Sequence, residues 1–183
     1  MLPLELQADL DDYQDSITTG IHYDRGHLAP AKAFLRNEEA MKTSHIYSNG
    51  VPQTEKLNSG RWKTLEREVY NYVKNTGNAW VVTGVVCLDD DSTLVSPQYR
   101  IGNHQIAVPT HCYKVILCEN DQGDFTMYGF MLPNQTDPIL KRSPDYQLTV
   151  DRLEEITGYD FFSELDDVLE DSLEAVISPG WLD

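Results

Sequence analysis

Three pieces of the chain, YDRGHLAP at 23–30, SNGVPQ at 48–53 and LNSGRWKTLE at 57–66, decide how the rest is read. The first is extended around residues 21–23 and is stopped by Pro30, whose ring cannot continue regular structure. The third opens the clearest helix of the sequence, from about residue 59 to 74. There Trp62, Leu65, Val69 and Val73 recur at three- and four-residue spacing, the period of one buried face. Between them the residues predict a helix over 31–42. They also predict a short strand at 45–48, ended by Asn49-Gly50 and Pro52.

These pieces also carry the chemistry. His27 follows Asp24, Arg25 and Gly26. A histidine near its free pKa takes a proton from water at neutral pH, which phosphodiester hydrolysis requires of a base. An arginine two residues earlier offers a bidentate fork to the same phosphate, and Gly26 leaves room for a backbone or a phosphate. On the helix, Asn58, Trp62 and Glu66 are four apart. Two such steps turn the side chain by only about 80°, so the three share one face, anchored by Trp62. An amide plus a nearby carboxylate is a sparse ligand set, suited to Mg²⁺, which keeps most of its waters, and unsuited to zinc. The plain alternative is that Asn58 caps the helix and Glu66 faces solvent.

Downstream, AWVVTGVV at 79–86 reads as a buried central strand, and further strands are expected at 105–108, 111–118 and 125–132. The last two are joined by Asn120-Asp121-Gln122-Gly123, a hairpin connection. Late helices are expected at 150–157 and 162–176. The class is α+β with a central antiparallel sheet, in one domain over 1–183, with an acidic lead-in at 1–20 and an acidic C-terminal helix or tail at 163–183.

Composition bounds the reading. The chain has 183 residues, a formal charge of −16 and three cysteines at 87, 112 and 118. The cysteines form no CxxC pair, which argues against a disulfide framework and a cysteine zinc site, and each is expected to be a small buried hydrophobe. The charge is segregated. Residues 1–16 hold five acids and no base, and residues 145–183 hold twelve acids and only Arg152. Residues 25–67 are locally +4, with eight bases against four acids, so a phosphate-bearing partner remains compatible with the acidic total. No apolar run is long enough to cross a bilayer, and residues 1–16 have the character of neither a secretory signal nor a transit peptide.

Together the motifs resemble the DNA/RNA non-specific endonucleases with the ββα-metal (His-Me finger) fold, whose members include mitochondrial, secreted and periplasmic nucleases. The likeness continues through VPTHCYKVIL at 108–117, GFMLPN at 129–134 and VDRLEEITGYDFF at 150–162, covering roughly residues 20–165. It implies a Mg²⁺-dependent endonuclease, with Mn²⁺ able to substitute, acting on DNA and RNA without sequence preference. Carried over residue by residue, His27 matches the general base. Asn58 matches the one direct metal ligand, and Glu66 the acid that reaches the metal through water. Arg25 matches a phosphate-binding arginine, Asn49 an active-site asparagine and Asp24 a support of the motif. Arg61 is a second candidate for phosphate.

Two departures from the family pattern stand out. Nothing basic precedes Arg25, where the family carries an upstream arginine on further strands, and Tyr70 stands where some members have arginine. Missing strands would leave a sheet edge to be covered by a second copy or another chain. The departures also support an alternative reading, a catalytically weak or inactive nuclease-fold module that regulates or needs a partner. A third reading is a phosphoesterase for small substrates. The acidic C-terminal helix could act as a brake on the phosphate cleft, His111 is expected to be structural, and Trp181 either packs back on the domain or marks a docking tail.

Overall fold

The computed structural model describes residues 8–14, 20–139 and 142–181. Residues 1–7 and 15–19 of the acidic lead-in lie outside them, but 10–14 are not irregular: Leu10–Gln14 forms a short helix, α1. Its Asp12 is fully buried and accepts from the backbone N–H of His104 at 3.0 Å, which ties α1 to the turn at 102–105.

The region 23–76 folds as hairpin then helix. Strand β1 (Tyr23–His27) pairs antiparallel with β2 (Gly50–Thr54), placing Arg25 opposite Pro52 and His27 opposite Gly50. Both expectations for the intervening stretch need correction. The helix expected at 31–42 is split into a 3-10 turn, Ala31–Phe34, and α2 (Glu38–Thr43). Asn37 makes the break, because its Oδ1 accepts from Ala40 N at 3.0 Å and caps a new helix. The strand expected at 45–48 is a 3-10 turn at Tyr47–Asn49, and the strand begins at Gly50 instead of ending there. Pro52 is tolerated inside β2 because the hairpin has only two strands, so the missing N–H breaks no ladder on a second side.

The helix begins with a π-helical turn, Lys56–Trp62, which breaks at Gly60 (φ −99°, ψ −111°) and continues as α3 (Lys63–Thr76). The main sheet has the order β3-β6-β7-β8, all antiparallel, with β3 Gly77–Val86, β6 His111–Asn120, β7 Phe125–Pro133 and β8 Gln147–Leu148. The central strands are β6 and β7. The expectation that 79–86 is the buried centre is wrong: β3 lies at the edge, with Trp80 47% and Val81 41% exposed. A continuous apolar run does not distinguish an edge from a centre, and only the pairing does. A small ribbon, β4 (Arg100–Ile101) with β5 (Ile106–Ala107), replaces the strand expected at 105–108.

Side-chain alternation on β6 divides the core. On one face Cys112, Ile116 and Cys118 meet Leu57, Trp62 and Leu65 of the helix. On the other, Tyr113, Val115 and Leu117 meet Val150, Leu153 and Ile156 of α4 (Val150–Thr157). Each fully buried aliphatic side chain here contributes about 1.5–3 kcal/mol relative to exposure. Helix α5 is shorter than the expected 162–176, running Asp167–Glu174 from its cap Asp166, whose carboxylate accepts from Val168 N at 3.2 Å. Trp181 packs back: it is 3% exposed, stacks on Tyr72 and donates to Glu68 Oε2 at 3.2 Å. All three cysteines are free thiols.

Candidate active site

The hairpin sets the frame. Asn134, at the end of β7, donates to Pro52 O at 3.0 Å and accepts from Thr54 N at 2.8 Å, clamping β2 to the main sheet. Gly26 is buried because the side chain of Gln53 lies where its Cβ would be, 2.0 Å from Gln53 Oε1. The close approach expected there is therefore made by Gln53, and not by a passing backbone or phosphate.

His27 ends β1, half-buried. Its Nε2 lies 3.2 Å from His45 Nδ1, and the two rings meet edge to face. Burial first, then the neighbouring His45 and Arg25, hold its pKa below the ordinary imidazole value. The ring is therefore mainly neutral at pH 7, the form that accepts a proton. Its carbonyl takes the indole N–H of Trp62 at 3.4 Å, so the helix anchor also fixes the end of β1.

Asn58 stands in the π-helical turn, half-buried. Its Nδ2 donates to Asp24 Oδ2 at 2.9 Å. That bond ties the helix to the strand that bears His27, and it sets which end of the amide faces away from Asp24. Among the described residues no donor reaches Asn58 Oδ1. One fixed amide oxygen without a protein partner suits an ion that takes few protein ligands and keeps its waters. The residues present fit a hard divalent cation at this point. Asn58 and Glu66 do not share one straight helix, as their spacing predicts, because the break at Gly60 lies between them.

Glu66 lies one turn after Trp62 on α3, half-buried, and burial raises its pKa against the pull of Lys114 and Lys32. Lys114 is the residue that sequence reasoning missed. It is 1% exposed on β6, sits 4.3 Å over the Trp62 ring and donates to Thr83 Oγ1 at 2.9 Å. Its signal was present: HCYKVILC puts one lysine in an otherwise inward-packed strand. Asn49 spends its amide on the chain after His27, with Oδ1 accepting from Ala29 N at 2.9 Å. Its Nδ2 donates to Ala29 O at 2.9 Å and Ser44 O at 2.7 Å. That geometry braces the loop. Arg25 lies with its Cζ 4.6 Å over the Tyr47 ring, and among the described residues no carboxylate pairs with it. Its stem crosses Gly50, where a Cβ would fall 2.7 Å from Arg25 Cγ. Among the described residues Arg61 makes no hydrogen bond or ion pair with this group. Its Nε is buried without a hydrogen-bond partner, beside a hollow lined by Lys56, Thr64 and Ile139.

A two-stranded hairpin carrying a histidine, followed by a helix carrying an amide, in front of an antiparallel sheet, is the ββα-metal nuclease fold. The family model for DNA/RNA non-specific endonucleases matches residues 3–168, and the chain belongs to that family, whose members are metal-dependent. It is 34% identical over 158 residues to the mitochondrial nuclease EXOG of Danio rerio, covering 83% of this chain and 45% of the relative. To mitochondrial endonuclease G of Caenorhabditis elegans it is 30% identical over 148 residues, covering 79% and 48%. It spans about half the length of these relatives. Among solved structures, it matches a chain of the complex of EndoG with its inhibitor EndoGI at TM-score 0.78 and 28% identity, covering 90% of this chain and 67% of that one.

Proposed function

We propose that the chain is a Mg²⁺-dependent endonuclease, a single catalytic domain that hydrolyses phosphodiester bonds of DNA and RNA without reading base sequence. The observation that carries this reading is the bond between Asp24 and Asn58, which joins the His27 strand to the helix and leaves one amide oxygen without a partner among the described residues. In this reading His27, kept neutral by its surroundings, draws the proton from the attacking water. Arg25, free of any described carboxylate, binds the phosphate. Asn58 and Glu66 hold the cation, Glu66 through water. Mg²⁺ bound there would supply positive charge to the phosphate and to the departing 3′ oxygen. Asn49 and Trp62 act by fixing the backbone on either side of His27. Backbone recognition through charge and groove shape carries no base preference, which is why both nucleic acids are substrates.

Mg²⁺-dependent nicking of supercoiled plasmid and cutting of RNA, lost by about 10²-fold or more in His27→Ala, is the expected result. Absence of cleavage by a folded chain across several metals would overturn it. The free edge of β3, with Trp80 and Val81 exposed, favours a second copy or another chain as a partner there, since among the described residues no strand pairs with it. Sedimentation as a compact monomer at high concentration would count against that partner.

A further inference from the structure

Helices α4 and α5 meet on the sheet face opposite α3, away from the nuclease hairpin. Where they meet, carboxylate oxygens of Asp151, Glu154 and Glu174 all lie within 4.8 Å of one another. Asp151 and Glu154 are three apart on α4 and so share a side of it. Glu174, on α5, is only 6% exposed, and its Oε1 is buried with no hydrogen-bond partner. Glu170 Oε1, one turn earlier, is also buried and unpartnered. Among the described residues no cation pairs with these carboxylates, and the sole base of residues 145–183, Arg152, is turned to Glu155 at 2.7 Å. Glu154 spends Oε1 on the backbone N–H of Phe161 at 2.7 Å, which fixes its carboxylate in place. The Glu174 carboxylate, buried beside two more carboxylates, has no positive partner among the described residues.

We propose that Asp151, Glu154 and Glu174 bind a calcium-class divalent cation that clamps α4 to α5, a second metal site independent of Asn58. With Glu154 Oε1 spent on Phe161, the three carboxylates offer up to five oxygens, and water brings the shell to the six to eight that Ca²⁺ takes from the side of the exposed Asp151. The rival neutraliser is a proton held between Glu154 and Glu174, which would leave nothing for the ion to bind.

The test uses the full chain, stripped with chelator and titrated with CaCl₂ at fixed ionic strength, by calorimetry and thermal melting without nucleic acid. The expected result is saturable Ca²⁺ binding and a rise in Tm of roughly 5–10 °C at a hundredfold excess over Kd. Asn58→Ala retains the response, whereas Glu174→Gln and Asp151→Asn each weaken binding at least about tenfold. Without Ca²⁺, Glu174→Gln melts no lower than the parent, because it relieves repulsion. No Ca²⁺ binding by the parent chain would overturn the site. So would a Tm rise matched by KCl, or a response unchanged in both carboxylate variants.

Discussion

Substituting Lys114 by methionine tests the electrostatics beneath the candidate site. Burial lowers the Lys114 pKa from 10.5 to about 8, against the pull of Glu66 and Cys112. A group whose folded pKa is depressed contributes stability that is present above its unfolded pKa and is lost as pH falls through the folded value. The native chain releases this proton near pH 8 while the unfolded chain keeps it to 10.5. Between those limits the unfolded state binds more protons, so stability rises with pH. The gap corresponds to about 3 kcal/mol, an upper figure for a fully buried group. Methionine keeps the apolar stem and removes the titration. Urea unfolding of both proteins from pH 7 to 10.5 gives the difference in stability at each pH. Cys112 and Cys118, whose thiols burial pushes up to about 12, pull stability the other way in both proteins; the Cys118 part cancels in that difference, and the Cys112 part does so apart from its coupling to Lys114. The parent should gain on Lys114→Met by about 2–3 kcal/mol across the window. A flat difference curve would refute the argument, and would mean that the ammonium is solvated in the native protein. The same variant removes a charge that lowers the Glu66 pKa, so the acid limb of any Glu66-dependent activity should move to higher pH.

Asp24→Ala releases the Asn58 amide and should weaken Mg²⁺ binding by about 10–100-fold with the fold intact, measured by calorimetry; unchanged affinity would remove Asp24 from the support of that ligand. Activity should decline on the acid side with a midpoint below 6.5, and His45→Ala should raise that midpoint by removing one of the causes that lower the His27 pKa; a pH–rate profile checks both. Gly26→Ala drives a methyl into Gln53 and should cost about 1–3 kcal/mol in denaturant unfolding. Adding Gln53→Ala makes room for that methyl, so the double variant should cost less than the sum of the two single changes.

How much of this was legible follows from which interactions are local. The helix at 150–157 was readable to the residue because Thr149 caps it, Gly158 ends it at φ 71°, and its apolar face repeats. The hairpin β6–β7 was readable because its turn chemistry lies within four residues. What failed depended on distant partners or on a single competing side chain. Asn37 split one helix by capping another, and β3 became an edge because its second neighbour is set by topology. In the site, DRGH and Asn58 could be picked out, but the bond that joins them spans 34 residues and has no local sequence signature. Lys114 was passed over for the same reason, since its role comes from Trp62 and Glu66 on the helix and Thr83 on β3, two other stretches of chain.

The acidic C-terminus shows why charge has to be placed before it is interpreted. As a sequence, residues 163–183 could be a brake over the phosphate cleft. As folded, α5 packs on α4 and contributes Leu173 to the sheet face opposite α3, while Trp181 enters the core beneath Tyr72, Tyr128 and Phe130. The helix in this position packs on α4 and β7. Deleting 163–183 would thus remove a buried tryptophan, worth about 3–5 kcal/mol by itself, and lost cleavage would report unfolding as readily as a brake. Neutralising exposed acids of α5, such as Asp167 and Asp171, separates the two explanations, because it changes charge while leaving Trp181 in place. Unchanged cleavage by that variant at low salt, where long-range charge acts most strongly, would leave the brake without support.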